Sequence, residues 1–153
     1  MRSVAIVLSL VALASPAAGQ LPATRPAPSV TADMSPAEIR TVWAFDQEVL
    51  RAARELGLDR APQVLYAGPG ARFPFAVDAR KLAFVYPGHL AVVLTPRAVG
   101  IRDVRLRCVA RHELLHLVLG HTRGSRTLEE QDAKHAEVAQ AQRDVYGEDS
   151  RCE

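Results

Sequence analysis

Apolar residues return at helical spacing between Ile39 and Leu56, with Ile39, Val42, Trp43, Val49, Leu50, Ala53 and Leu56 falling on one face. Ser35 stands before Pro36, and Glu38 follows three residues after Ser35, which makes a capping box with proline in the first turn. Gly57 stops the segment, so a first helix is predicted from Pro36 to about Leu56. The period then changes. "PQVLYAG", "RFPFAV", "KLAFVY" and "HLAVVLT" are short runs rich in β-branched or aromatic residues, separated by proline and glycine, and they read as strands. "YPGH", Tyr86 to His89, is a tight connection that makes the last two a hairpin. No helix-length pattern lies between these runs, so a sheet of three or four strands, mostly antiparallel, is expected. Helical spacing resumes from Asp103 to about Leu119, where Gly120 ends it, and again from Thr127, which forms another capping box with Glu130, to about Tyr146. The expected fold is one α+β domain over residues 35–153, ordered helix, small sheet, helix, short loop, helix.

The first residues, "MRSVAIVLSLVALASPAAGQ", change the setting of that domain. Arg2, an apolar run from Val4 to Ala14 and small residues at Ala17 and Gly19 have the layout of a secretory signal peptide over residues 1–19. The run is shorter than the roughly 20 residues a spanning helix needs, so no stable membrane anchor is expected after cleavage and the destination is secreted or periplasmic. Residues 20–34 are rich in proline and alanine and offer little to bury, which predicts a flexible leader. The formal net charge of +2 comes almost wholly from scattered arginines, and this argues against a nucleic-acid partner. Export also bears on the two cysteines: in an oxidising compartment Cys108 and Cys152 are expected to close a disulfide tying the tail to the central helix.

The chemistry is concentrated in "VARHELLHLVLGH", Val109 to His121. Residues four apart on a helix point the same way, so His112 and His116 can offer both imidazoles to one ion, and Cys108 shares their stripe. Zinc accepts neutral imidazole, and a catalytic site has three protein ligands with an open position for water. Glu113 is rotated about 100° from His112, where its carboxylate can reach that water as general base. The uncharged Leu114, Leu115, Leu117 and Val118 around the two histidines distinguish the stretch from a chance five-residue pattern. The competing reading is a packed helix whose histidines are held by core hydrogen bonds.

At "VARHELLHLV" the chain resembles the extended HExxH signature of the zincin metallopeptidases. The metzincin arrangement does not fit, because Gly120 follows His116 by four residues and His121 by five. A third ligand on the next helix, as in gluzincins, suits "TLEEQDAKHAEVAQ" better. An antiparallel helix starting near Thr127 would place Glu130 or Asp132 opposite the histidines, with Glu137 too deep. "EEQDAKHA" is similar to the glutamate-bearing helix of compact gluzincins, and "HELLHLVLGH" to the motif helix of the ImmA/IrrE-type metallopeptidases. The resemblance implies Glu130 as the third ligand; His121, His135, Asp132 and Glu129 stay open as alternatives. His135 also reads as an oxyanion stabiliser or a solvent-facing residue, and Tyr146 as a phenolic donor or a packing residue. In zincins an edge strand before the motif helix aligns extended substrate, and "HLAVVLT" occupies that place, with His89 merely its first residue.

The expectation is a minimal zincin-like, exported metallopeptidase with one zinc ion per chain, His112, His116 and Glu130 as ligands and Glu113 as general base, acting on a peptide or protein substrate. The alternative is a domain of the same build that binds metal for structure or holds a partner without turnover. Chelation separates the two: a catalytic ion leaves the fold in place, and a structural one takes the fold with it.

Overall fold

The structure, a computed structural model, describes residues 26–147. Helix α1 runs Pro36–Glu55, strands β1, β2 and β3 are Gln63–Tyr66, Ala83–Val85 and Ala91–Leu94, a 3-10 turn covers Pro96–Ala98, and helices α2 and α3 are Asp103–Val118 and Leu128–Tyr146. This is the expected α+β order. The predicted capping box is complete: the Ser35 hydroxyl accepts from Glu38 N–H, and Glu38 Oε2 accepts from Ser35 N–H at 2.7 Å. No helix among the described residues is long and apolar enough to cross a membrane. The signal-peptide reading and Cys152 lie outside the described residues.

The sheet has three strands in the order β1-β3-β2, with β1 parallel and β2 antiparallel to β3. "RFPFAV" is not a strand. Pro74 has no N–H to give a ladder, and Phe73 and Phe75 instead turn onto Phe84 and Tyr86, with ring centroids 5.2 to 6.0 Å apart. The β2–β3 hairpin forms as expected: His89 N–H donates to Tyr86 O, and Gly88 at φ 74° supplies the positive φ that a Pro-Gly turn requires.

The edge position differs from the expectation. β3 is buried along its whole length and paired on both sides, so "HLAVVLT" has no free edge, and His89 sits in the turn before the strand. One outer edge, that of β1, is covered by the leader: Ser29 N–H donates to Val64 O, and Tyr66 N–H donates to Ser29 Oγ. Within residues 26–34 Pro28 and Met34 are buried against the domain. The other edge belongs to β2.

The core joins one face of the sheet to α1 and α2. Val42, Phe45, Val49 and Ala52 of α1 meet Val64, Val92 and Leu94 of the sheet and Leu106, Ala110 and Leu114 of α2. Trp43, expected on the buried face, is 45% exposed. At the rim Glu48, nearly buried, accepts from Arg51 and Arg107 at 3.1 Å each, and Glu55 binds Arg111 at 3.1 Å, so charged contacts as well as packing hold α2 against α1. A rigid α2 matters because it carries the motif.

Candidate metal centre

His112 and His116 lie one turn apart on α2, and their Nε2 atoms face each other at 3.2 Å. His135 arrives from α3, with its ring 5.7 Å from that of His112 and 5.2 Å from that of His116. One nitrogen from each of the three falls within 4.8 Å of the others, a group able to hold a metal ion. His135 stands two turns into α3, where the antiparallel helix meets α2.

Glu130 is not brought to the histidines. It lies in the first turn of α3, where its carboxylate accepts from Arg126 N–H at 2.8 Å and pairs with Lys134 at 2.7 Å. These donors hold its pKa below the usual carboxylate range, with Lys134 the largest influence. Thr127 accepts from Glu130 N–H as the capping signature predicts, although the returning carboxylate bond lands on Arg126, one residue earlier than a full box. Glu129 and Asp132 are likewise exposed and absent from the group, whereas His121 touches its rim through His116.

Burial holds the imidazoles in their neutral form, the form that binds metal. Desolvation, then the charge of His135, lowers the pKa of His112 to about 4. Desolvation followed by the neighbouring histidines lowers that of His116 to about 3. His135 is lowered too, by burial and then by Lys81. Gln142, fully buried on α3, opposes the lowering of the His112 pKa, while its amide Nε2 donates to Cys108 Sγ at 3.5 Å. The two histidine Nε2 atoms at 3.2 Å can share one proton in a hydrogen bond, or both turn lone pairs to a bound cation, and with His135 they form a group that could hold a metal ion.

Glu113 is 8% exposed, with its carboxylate turned toward the sheet. Val85 N–H donates to it, Lys81 attracts its negative charge, and burial outweighs both, so its pKa is pushed up to about 7. The histidines and Glu113 line a cleft of about 870 Å³ whose other wall carries Phe75, Lys81, Phe84 and Val85. Backbone alternation explains the role of Val85. Thr95 N–H donates to Leu82 O and Tyr86 N–H donates to Ala91 O, so Leu82 and Tyr86 turn their polar groups to β3, and Ala83 and Val85 turn theirs outward. The outer edge of β2 therefore runs along the cleft.

No family model, curated protein or solved structure matches the chain. The site has to be read from its own residues.

Three of these were not singled out from the sequence. Lys81 stands in a strand-like run where nothing local marks it. Gln142 reads as an ordinary helix residue, and only its full burial identifies it. The Val85 N–H has no side-chain signature at all. Tyr146 packs rather than reaching the cleft: Arg111 lies over its ring at 4.1 Å.

Proposed function

We propose that this chain is a zinc-dependent metallopeptidase, with His112, His116 and His135 as the metal ligands and Glu113 as general base. The observation that carries the reading is the conjunction of three converging neutral imidazoles with a buried carboxylate tuned to about 7, all opening on one cleft. Three histidines leave a fourth position of a tetrahedral ion for water, the stoichiometry of a catalytic rather than a structural site. Zinc, when bound, would supply a Lewis acid that polarises a carbonyl and makes water acidic near neutral pH.

The chain's own groups do the rest. Glu113, poised near neutrality, accepts a proton from the attacking water on its carboxylate and later passes it to the leaving amine. The Val85 N–H fixes that carboxylate and the Lys81 charge favours its ionised form. In this reading an extended peptide lies along the outer edge of β2. β2 thus takes the substrate-side role expected of "HLAVVLT". Phe75 and Phe84 give one wall of the cleft an apolar surface for a substrate side chain. Export as a secreted or periplasmic protein, with a Cys108–Cys152 disulfide, completes the reading. His135 replaces Glu130 in the ligand set, which departs from the gluzincin resemblance while keeping its HExxH helix.

The test is hydrolysis of a mixed peptide library by the zinc-loaded chain and by Glu113→Gln. The parent should cleave, and the variant should retain zinc and lose at least a hundredfold in rate, at the low end of what general-base catalysis contributes. Equal activity in the two would remove Glu113 from the mechanism; zinc binding without any cleavage would favour the non-catalytic alternative.

A further inference from the structure

His116 has a second ring nitrogen, and its surroundings form a connected set. The end of α2 folds as a Schellman motif: Gly120 N–H donates to Leu117 O, His121 N–H donates to His116 O at 2.8 Å, and Gly120 takes φ 75°. This hydrogen-bond pattern brings the residue after the glycine back over the residue five before it. In "HLVLGH" those two residues are both histidine, and their Nδ1 atoms stand 3.1 Å apart. Thr122, next along the chain, accepts from Gly88 N–H at 3.1 Å, which ties the loop to the β2–β3 turn. The other nitrogen of His121, Nε2, lies 3.0 Å from Glu137 Oε2 on α3.

Only one assignment of protons satisfies this chain of contacts when His116 presents Nε2 to a metal. Glu137 as a carboxylate can only accept, so His121 carries its proton on Nε2. The bare Nδ1 of His121 then accepts from Nδ1–H of His116, and His116 Nε2 is left with its lone pair toward His112 and His135. We propose that His121 and Glu137 are positioning residues: a carboxylate–imidazole relay that locks His116 in the metal-binding tautomer and holds its ring in place, resting on the metal reading of the site above. The physical effect is that of an outer-shell acceptor, which fixes ring orientation and raises ligand basicity. Glu137 is not in the three-histidine group, and through His121 it reaches one member of it.

Two measurements test this together. Zinc affinity is measured by chelator competition for the parent, Glu137→Ala, His121→Phe and the double variant, and the imidazole nitrogens of the metal-free parent are observed by ¹⁵N NMR. Outer-shell substitutions typically weaken metal affinity about 10- to 100-fold, and His121→Phe should fall in that range with Glu137→Ala near its lower end. The double variant should bind no more weakly than His121→Phe, because Glu137 acts only through His121. NMR should find His116 protonated on Nδ1 and His121 on Nε2. Parent-like affinity in both single variants, or losses that multiply in the double, would overturn the relay while leaving the metal site standing. If the parent binds no zinc, the metal reading fails, and the NMR tautomers still decide the hydrogen-bonded relay: the reverse protonation of either ring rejects it.

Discussion

Glu113→Gln separates an electrostatic cost from a catalytic role. In the metal-free chain burial pushes the Glu113 pKa from an ordinary 4.5 to about 7. The unfolded chain therefore gives up this proton more readily than the folded one, and between those two values folding stability falls as pH rises. A difference of roughly 2.5 pKa units at 1.36 kcal/mol each is a destabilisation of about 3 kcal/mol, fully present above about pH 8 and absent below about pH 4. Glutamine keeps an oxygen that can accept from Val85 N–H but carries no charge. Urea unfolding of the chelator-treated parent and variant should thus show the variant gaining on the parent by about 3 kcal/mol between acid and about pH 8, with roughly half of that gap open near pH 5.5. A stability difference that stays constant over this range would mean that Glu113 is not desolvated as described, and the general-base argument would lose its physical footing.

Other expectations follow from single features. In the Glu113→Gln background the opposing titration is gone, and the buried imidazoles should dominate: with His112 held to about 4 and His116 to about 3, the unfolded chain binds more protons below its ordinary histidine pKa. Metal-free stability should then fall as pH drops from about 6.5 toward 4, and exchanging both histidines for glutamine should flatten that slope in denaturation curves. Gly120→Ala forces a Cβ into φ 75° at the end of α2, and thermal unfolding should show a loss of about 1 kcal/mol. Thr127→Ala removes the hydroxyl that caps α3 and should cost about 1 kcal/mol with zinc binding retained, since the cap and the metal site use different residues.

The helices and their ends were legible because their signals are local. Ser35 with Glu38, Gly57, Gly120 and Thr127 each act within one turn, and each does in the structure what its type predicts. His112, Glu113 and His116 were legible for the same reason, since helical spacing alone fixes their relative directions. What depends on tertiary placement was not. Short apolar runs carry no direction, so the parallel pairing of β1 with β3 had no signature, and a central β3 could not be told from an edge. Trp43 fits the helical period but lies at the margin of a face centred on Val42, Phe45 and Val49. The third histidine was lost for a related reason. Glu130 satisfies a local cap at the start of α3, and the point at which α3 meets α2 is set by packing further along, where His135 stands.

The most direct test of the metal centre is the zinc content of the purified chain beside His135→Ala and Glu130→Ala. One zinc per parent chain, lost in His135→Ala and kept in Glu130→Ala, is the predicted result. Zinc lost with Glu130 and kept without His135 would contradict the three-histidine site, and no zinc in the parent after reconstitution would contradict the metal reading altogether.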